Sequence, residues 1–247
     1  MRRKVAFIST EPNNQEPMRF RGSLRTIRES VSIQLKELGL EPIIHRPVAD
    51  ISDFPDVKKY HSVIVGGSKL NVFDDDIAAN PWMAKLLDFI RDVHERVPML
   101  GLCFGHQAIG KAFGGTLLKY ENWYEVGFSS VALTQPARND PLFRGLPQTF
   151  DALFSHFSYL ADVPGIVLAR ASNNRNQSIQ AFKMGYMTWG IQFHPEYDVQ
   201  AVEDLVKARA EAIRDMVDVA QVLEGLKRTE RADVCPFERF VDFVRSY

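Results

Sequence analysis

Val97-Pro98-Met99-Leu100-Gly101-Leu102-Cys103-Phe104-Gly105-His106-Gln107 reads as a buried strand that turns sharply into a helix, with a cysteine on the turn. A short apolar run bounded by turn residues is the pattern of a strand covered on both faces. Gly101 and Gly105 permit a tight strand-to-helix elbow, and glycines there leave the backbone open to a small ligand. The helix is expected over residues 106–113, closed by Gly114-Gly115. On such an elbow the backbone N–H of Phe104 faces the same space as the sulfur of Cys103.

Working upstream, residues 4–9 form a short apolar run suited to a buried strand, and residues 10–22, with Pro12, Asn13, Asn14 and Pro17, read as a long loop. From Ser23 the spacing of Leu24, Ile27, Val31, Leu35 and Leu38 is helical and ends at Gly39; residues 41–45 follow as a second strand. The β-branched run 61–65 stops at Gly66-Gly67-Ser68, and loops at the carboxyl ends of strands are where open α/β sheets bind ligands. Asn80 and Pro81 open a helix whose buried stripe is Met83, Leu86, Leu87, Ile90 and Val93. Three strand-helix units in a row predict an α/β fold: an open, mostly parallel sheet flanked by helices on both faces.

Downstream the character shifts. Residues 116–119, 126–134, 166–171, 178–183 and 187–193 are candidate strands, with a hairpin turn at Gly185, and predict an antiparallel extension of the sheet. Val202, Leu205, Val206, Ile213, Met216, Val217, Ala220 and Leu223 line one face of a long helix from Gln200, and a short helix follows Pro236. The expected division is a domain over 1–199 with a helical C-terminal extension, 200–247, packed on the same domain.

Composition narrows the class of function. The chain has 247 residues, 45% hydrophobic and 25% charged, with a formal net charge of −1. That balance offers no general attraction to nucleic acid or to an anionic membrane. The apolar stretch behind Met1-Arg2-Arg3-Lys4 is too short for a signal-peptide core, and no run approaches the roughly 20 apolar residues of a membrane span. Two cysteines, Cys103 and Cys235, make no disulfide framework, so a reducing cytoplasm is expected.

Cys103 acquires a chemical reading from His194-Pro195-Glu196, which follows the strand 187–193. A free thiol has a pKa of about 8.5 and needs a cationic neighbour or a helix N-terminus to become a nucleophile. With one residue between them, Glu196 can accept from one nitrogen of the His194 ring while the other faces sulfur. The plainer alternative is equally open on these residues: a buried core cysteine and an ordinary histidine-carboxylate pair at a loop end.

Taken together, Gly101 to Gln107 and Gln192-Phe193-His194-Pro195-Glu196 resemble the signatures of class I, triad-type glutamine amidotransferases. Gly66-Gly67, Glu125, Gly127, Ser155-His156 and Gln180-Ala181-Phe182 extend the similarity from about Lys4 to Glu196. The resemblance is greatest to the amidotransferase domain of GMP synthase and its freestanding homologues, which have a flavodoxin-like sheet. It implies Cys103 as nucleophile, His194 as proton shuttle and Glu196 as its orienter, with an oxyanion hole at the N–H groups of Gly67 and Phe104. Gln107, Ser155 and His156 would bind substrate. The implied reaction hydrolyses the glutamine side-chain amide to glutamate and ammonia, without metal or organic cofactor, with a separate synthase as a possible partner. Hydrolysis of γ-glutamyl peptides or amides is the alternative, and an inactive interaction subunit the second. The chain departs from relatives in reading Gly66-Gly67-Ser68-Lys69-Leu70, where proline commonly follows the glycines, and no ATP pyrophosphatase loop follows Glu196.

Other residues draw plainer expectations. Asp74-Asp75-Asp76 lacks the alternation of a calcium loop and reads as a solvated acidic loop. His106 should support the elbow and not act as a general base, and Cys235 should be a structural thiol. Trp123 and Tyr124 should lie on the active-site side, against substrate, a partner or the core.

Overall fold

The computed structural model describes residues 2–12, 17–172, 177–228 and 235–247. The first half alternates strands and helices as expected. In chain order it runs β1 (Lys4–Ile8), β2 (Met18–Phe20), β3 (Ser23–Arg25), α1 (Ile27–Glu37), β4 (Glu41–His45), β5 (Ser62–Val65), α2 (Asp74–Ala79), α3 (Pro81–Val93), β6 (Met99–Leu102) and α4 (Phe104–Ala112). The second half adds β7 (Thr116–Lys119), β8 (Glu125–Leu133), β9 (Thr149–His156), β10 (Ser158–Asp162), β11 (Ile166–Ala171), β12 (Ile179–Met184) and β13 (Thr188–Ile191). Three helices close the chain: α5 (Val199–Ile213), α6 (Val219–Arg228) and α7 (Pro236–Ser246).

One sheet of 11 strands has the order β4-β1-β5-β6-β13-β12-β11-β8-β9, with β10 pairing β12 and β7. From β4 to β13 every neighbouring pair is parallel; beyond β13 the pairs are antiparallel. Side-chain alternation sends each central strand into two cores. Val5 and Phe7 of β1 join Ile64, Leu100 and Leu102 on the face covered by α1, α5 and α7. Ala6 and Ile8 join Val63, Val65 and Met99 on the face covered by α3 and α4. The doubly covered α/β sheet, parallel from β4 to β13 and continued by an antiparallel extension, is thus the architecture the sequence predicts. Apolar side chains of α5 and α7, such as Leu205 and Phe240, belong to the same core as the central strands.

Several local expectations need correction. Within the segment read as a loop to Gly22, Met18–Phe20 pairs with Ser23–Arg25 as a hairpin. Its turn residues, Arg21 and Gly22, have φ of 47° and 77°, the conformation that a two-residue hairpin loop demands. The first helix therefore starts not at Ser23 but at Ile27, where Thr26 and Glu29 form a reciprocal capping box. The acidic run is not a loop: Asp74, Asp75 and Asp76 occupy the first turn of α2, where carboxylates complement the helix dipole. The single helix expected from Gln200 to Leu223 is two, α5 and α6, broken after Ile213. Residues 149–162, which show no clear strand pattern in the sequence, supply β9 and β10.

Candidate active site

Three adjacent parallel strands end at one edge of the sheet, and each delivers a residue there. The register pairs Val65 of β5 with Gly101 of β6, and Ile191 of β13 with Leu102. Gly67 follows Val65 by two residues, Cys103 follows Leu102 directly, and His194 follows Ile191 by three, so they emerge side by side. This is the carboxyl edge at which doubly wound sheets bind ligands.

The elbow is tightly determined. The Cys103 N–H donates to the Ile191 carbonyl at 2.8 Å, and the Gly105 N–H donates to the Gly66 carbonyl at 3.2 Å. Between those anchors Cys103 is held at φ 51°, ψ −102°, a conformation that costs an L-residue about 1–3 kcal/mol. A Cβ on Gly101 would stand 2.4 Å from the Gly105 carbonyl oxygen, and one on Gly105 would stand 2.2 Å from that of Val65. Only glycine allows strand and helix to approach so closely. Cys103 is the N-cap of α4, so its sulfur lies at the positive end of that helix.

Opposite the elbow, Thr10 Oγ1 donates to the carbonyl oxygens of Gly66 and Gly67 at 3.2 and 2.8 Å, which fixes the orientation of that loop. Its peptide path brings Gly67 against both key side chains: a Cβ there would lie 3.4 Å from His194 Cε1 and 3.7 Å from Cys103 Cβ. Among the described residues no protein acceptor takes the N–H of Gly67 or of Phe104.

His194 and Glu196 are buried and bonded to each other, Nδ1 to Oε1 at 2.8 Å. The remaining ring nitrogen, Nε2, is the one left to face Cys103, whose sulfur acts on the charge of the ring. Burial pushes the His194 pKa down, but the Glu196 carboxylate and the Cys103 sulfur outweigh it and raise the value to about 10. The imidazole is also clamped face to face by Tyr197, ring centroids 4.0 Å apart and planes 9° from parallel. Gln34 donates to the Glu196 carbonyl at 2.8 Å, tying the loop to α1.

The remaining expected residues surround this centre. Gln107 is buried with its amide already engaged: it donates to the Ser158 carbonyl at 2.9 Å and to Gln192 Oε1 at 3.0 Å. Gln192, to which the sequence assigned no role, passes that order on by donating to the Cys103 sulfur at 3.5 Å. His156 is also buried and engaged, 3.1 Å from Glu125 and 2.9 Å from the Ser158 carbonyl. Burial pushes the Glu125 carboxyl up, but the hydrogen bond and charge of His156 prevail and hold it below the ordinary range. Ser155 faces the opening, its hydroxyl 2.5 Å from that of Tyr124, with its carbonyl oxygen 4.0 Å from the Cys103 sulfur.

Arg209 of α5 is a second residue, with Gln192, that the sequence did not single out. Its guanidinium donates to Tyr124 Oη at 2.5 Å and to Ser155 Oγ at 3.3 Å, beside the thiol. In the sequence it is one polar residue on a helix whose apolar stripe alone is legible, so no local signal marked it. His106 lies under the elbow against Phe182, and Cys235 donates to the Pro195 carbonyl at 3.6 Å. Tyr124 stands at the site as expected, whereas Trp123 lines a separate cavity between β8 and α6, away from the thiol.

Two hollows meet at Cys103. A narrow cleft of about 20 Å³ runs along Asn71, Gln107, His156 and Ser158. A wider cavity of about 230 Å³ is bounded by His194, Tyr197, Met18, Ile27, Leu205 and Lys69. Ser68, Lys69, Cys103, Ser155 and Arg209 belong to both. Among the described residues no three histidine, cysteine or acidic side chains cluster as metal ligands, and no helix is long and apolar enough to cross a membrane.

Known proteins resemble this chain in sequence and in fold. A family model described as glutamine amidotransferase class-I matches residues 23–207. A glutamine-hydrolysing GMP synthase subunit of Sulfolobus acidocaldarius is 32% identical over 165 residues, which are 66% of this chain and 79% of that protein. Gamma-glutamyl peptidase 5 of Arabidopsis thaliana is 24% identical over 160 residues, 62% of each chain. A glutamine amidotransferase of Thermotoga maritima has the same fold, with a TM-score of 0.76 over 100% of both chains at 17% identity.

Proposed function

This chain belongs to the class-I glutamine amidotransferases, and we propose that Cys103, His194 and Glu196 cleave the side-chain amide of glutamine through a cysteinyl γ-glutamyl thioester. The observation that carries the reading is the Glu196-bonded His194 beside a thiol on a helix N-terminus. Cys103 sulfur adds to the amide carbon, and the resulting oxyanion accepts from the N–H groups of Gly67 and Phe104. His194 gives its proton to the amide nitrogen, the C–N bond breaks and ammonia leaves. Water then enters, His194 takes its proton, and hydroxide displaces the thiolate to yield glutamate. Glu196 holds the imidazole in the tautomer both steps require. Gln107, by fixing Gln192 against the sulfur, and His156, by supporting the strand beside it, shape the substrate pocket together with Ser155. Neither step needs a metal or an organic cofactor.

A relative named as a GMP synthase subunit supports a further expectation, that the ammonia serves a separate synthase. A second reading has its own observation. The cavity on the His194 side, about 230 Å³, is several times the ~30 Å³ that a water-sized molecule such as ammonia takes up in a liquid. Room of that size on the side of the proton donor suits a larger amine, and so a γ-glutamyl peptide or amide, as the name of the Arabidopsis relative also suggests. Ammonia release from glutamine, measured beside glutamate release from a γ-glutamyl dipeptide, tests both. Both reactions are expected to vanish in Cys103→Ala with the fold retained; turnover at the wild-type rate in that variant would overturn the mechanism.

A further inference from the structure

His194 borders the wide cavity and not the narrow cleft. The group that receives its proton is the departing nitrogen, so the leaving portion of a substrate extends toward the wide side. The side chains that border the wide side carry more positive than negative charge, while the buried carboxylates of Glu11 and Glu196 act on Tyr197 in its wall. Asp204 is the one carboxylate bordering it among the described residues, and Arg19 already holds that group by its backbone N–H at 2.9 Å and its guanidinium at 2.6 Å. Lys69 and Arg209 border this cavity where it meets the cleft, and neither pairs with a carboxylate among the described residues. Arg209 is only half buried, and its hydrogen-bond partners are two neutral hydroxyls, Tyr124 and Ser155, which fix its direction without neutralising it. The floor between the two cations is apolar: Met18, Ile27 and Leu205.

We propose that this side of the site is a leaving-group subsite for an amino acid or short peptide with a free carboxylate, joined to glutamate through the γ-amide. The inference rests on the second reading above. Arg209 receives the carboxylate through charge-assisted hydrogen bonds, Lys69 adds a second positive charge at the rim, and the apolar floor takes the side chain of the departing residue. Ser155 and Tyr124 act on this subsite as positioning residues for Arg209. The hairpin of β2 and β3 closes it from the side, because Arg19 fastens Met18 and its neighbours to Asp204 on α5.

The test compares two substrates that differ only in that carboxylate, γ-glutamylglycine and γ-glutamylmethylamide, with glutamine as a third. Wild-type protein is expected to favour γ-glutamylglycine over the methylamide in kcat/KM by about 10- to 100-fold, the worth of a charge-assisted hydrogen bond. In Arg209→Gln, which keeps donors for Tyr124 and Ser155, that ratio is expected to fall at least about tenfold, mostly through KM, with Arg209→Lys restoring part of it. Lys69→Ala, at an exposed position, should lower the ratio by a smaller factor. Equal losses on both substrates in Arg209→Gln would overturn the subsite, because they would place Arg209 at the glutamyl end or in the scaffold. Turnover of glutamine with no preference between the two γ-glutamyl compounds would overturn the subsite and leave the amide chemistry standing. Absence of turnover with all three would sink the amide chemistry and the subsite with it.

Discussion

At the scale of single residues, strain, charge and orientation meet on Cys103. Its positive φ of 51° is a cost that glycine does not pay. Cys103→Gly should therefore be more stable than Cys103→Ala by about 1 kcal/mol in chemical denaturation, net of the extra freedom of the unfolded glycine chain. Both variants should be inactive. Glu196→Gln keeps the shape but supplies the wrong partner to His194 Nδ1, and should lower kcat by about 10²- to 10⁴-fold with a smaller change in KM. Steady-state kinetics beside circular dichroism separates this from misfolding. Cysteine, histidine and glutamate were legible in the sequence because a short elbow and a strand-end pair each occupy a few consecutive residues. Gln192 and Arg209 were not, since what gives them their place is the crossing of strands and helices far apart in the chain.

At the scale of elements, the elbow depends on how closely α4 can approach β5 and β6. Gly105→Ala forces a methyl group to within 2.2 Å of the Val65 carbonyl oxygen, a backbone atom with no freedom to move aside. The expected loss is about 3 kcal/mol or more, read as a lower denaturation midpoint, and the displaced elbow should lose activity as well. Gly114→Ala meets open space but carries φ 87°, so its smaller loss would arise from backbone strain alone. The parallel strands were readable because each is a short apolar run bounded by turn residues. The hairpin of β2 and β3 was hidden by Pro12, Asn13, Asn14 and Pro17, which made the whole segment look like a loop, and by strands only three residues long. β9 was missed because Ser155 and His156 interrupt its apolar pattern at the very point where it turns toward the site.

At the scale of the whole molecule, two buried histidines set opposite limits on stability. Burial, offset only in part by backbone carbonyls of Gly190 and Ile179, pushes His106 down to about 3. Below its ordinary 6.5 the unfolded chain takes up a proton that the native state refuses, so stability is complete above pH 6.5 and falls as pH drops toward 3. His194 has the reverse sign: raised to about 10, it contributes fully below pH 6.5, and that contribution is lost as pH rises through about 10. The melting temperature should therefore decline on both sides of neutrality. His106→Gln should flatten the acid limb between pH 6.5 and about 3 and His194→Gln the alkaline one up to about 10, as differential scanning calorimetry across those windows would reveal. The overall α/β architecture followed from sequence because it repeats one local unit. The break between α5 and α6 did not, because one apolar stripe continues across both. The central claim is most directly tested with a glutamine analogue that carries a diazoketone in place of the amide, followed by peptide mass spectrometry. The account predicts one adduct per chain, on Cys103 and not on Cys235, formed in step with loss of turnover and greatly slowed in His194→Ala. Full modification of Cys103 with turnover retained, or loss of turnover with the adduct on another residue, would contradict it.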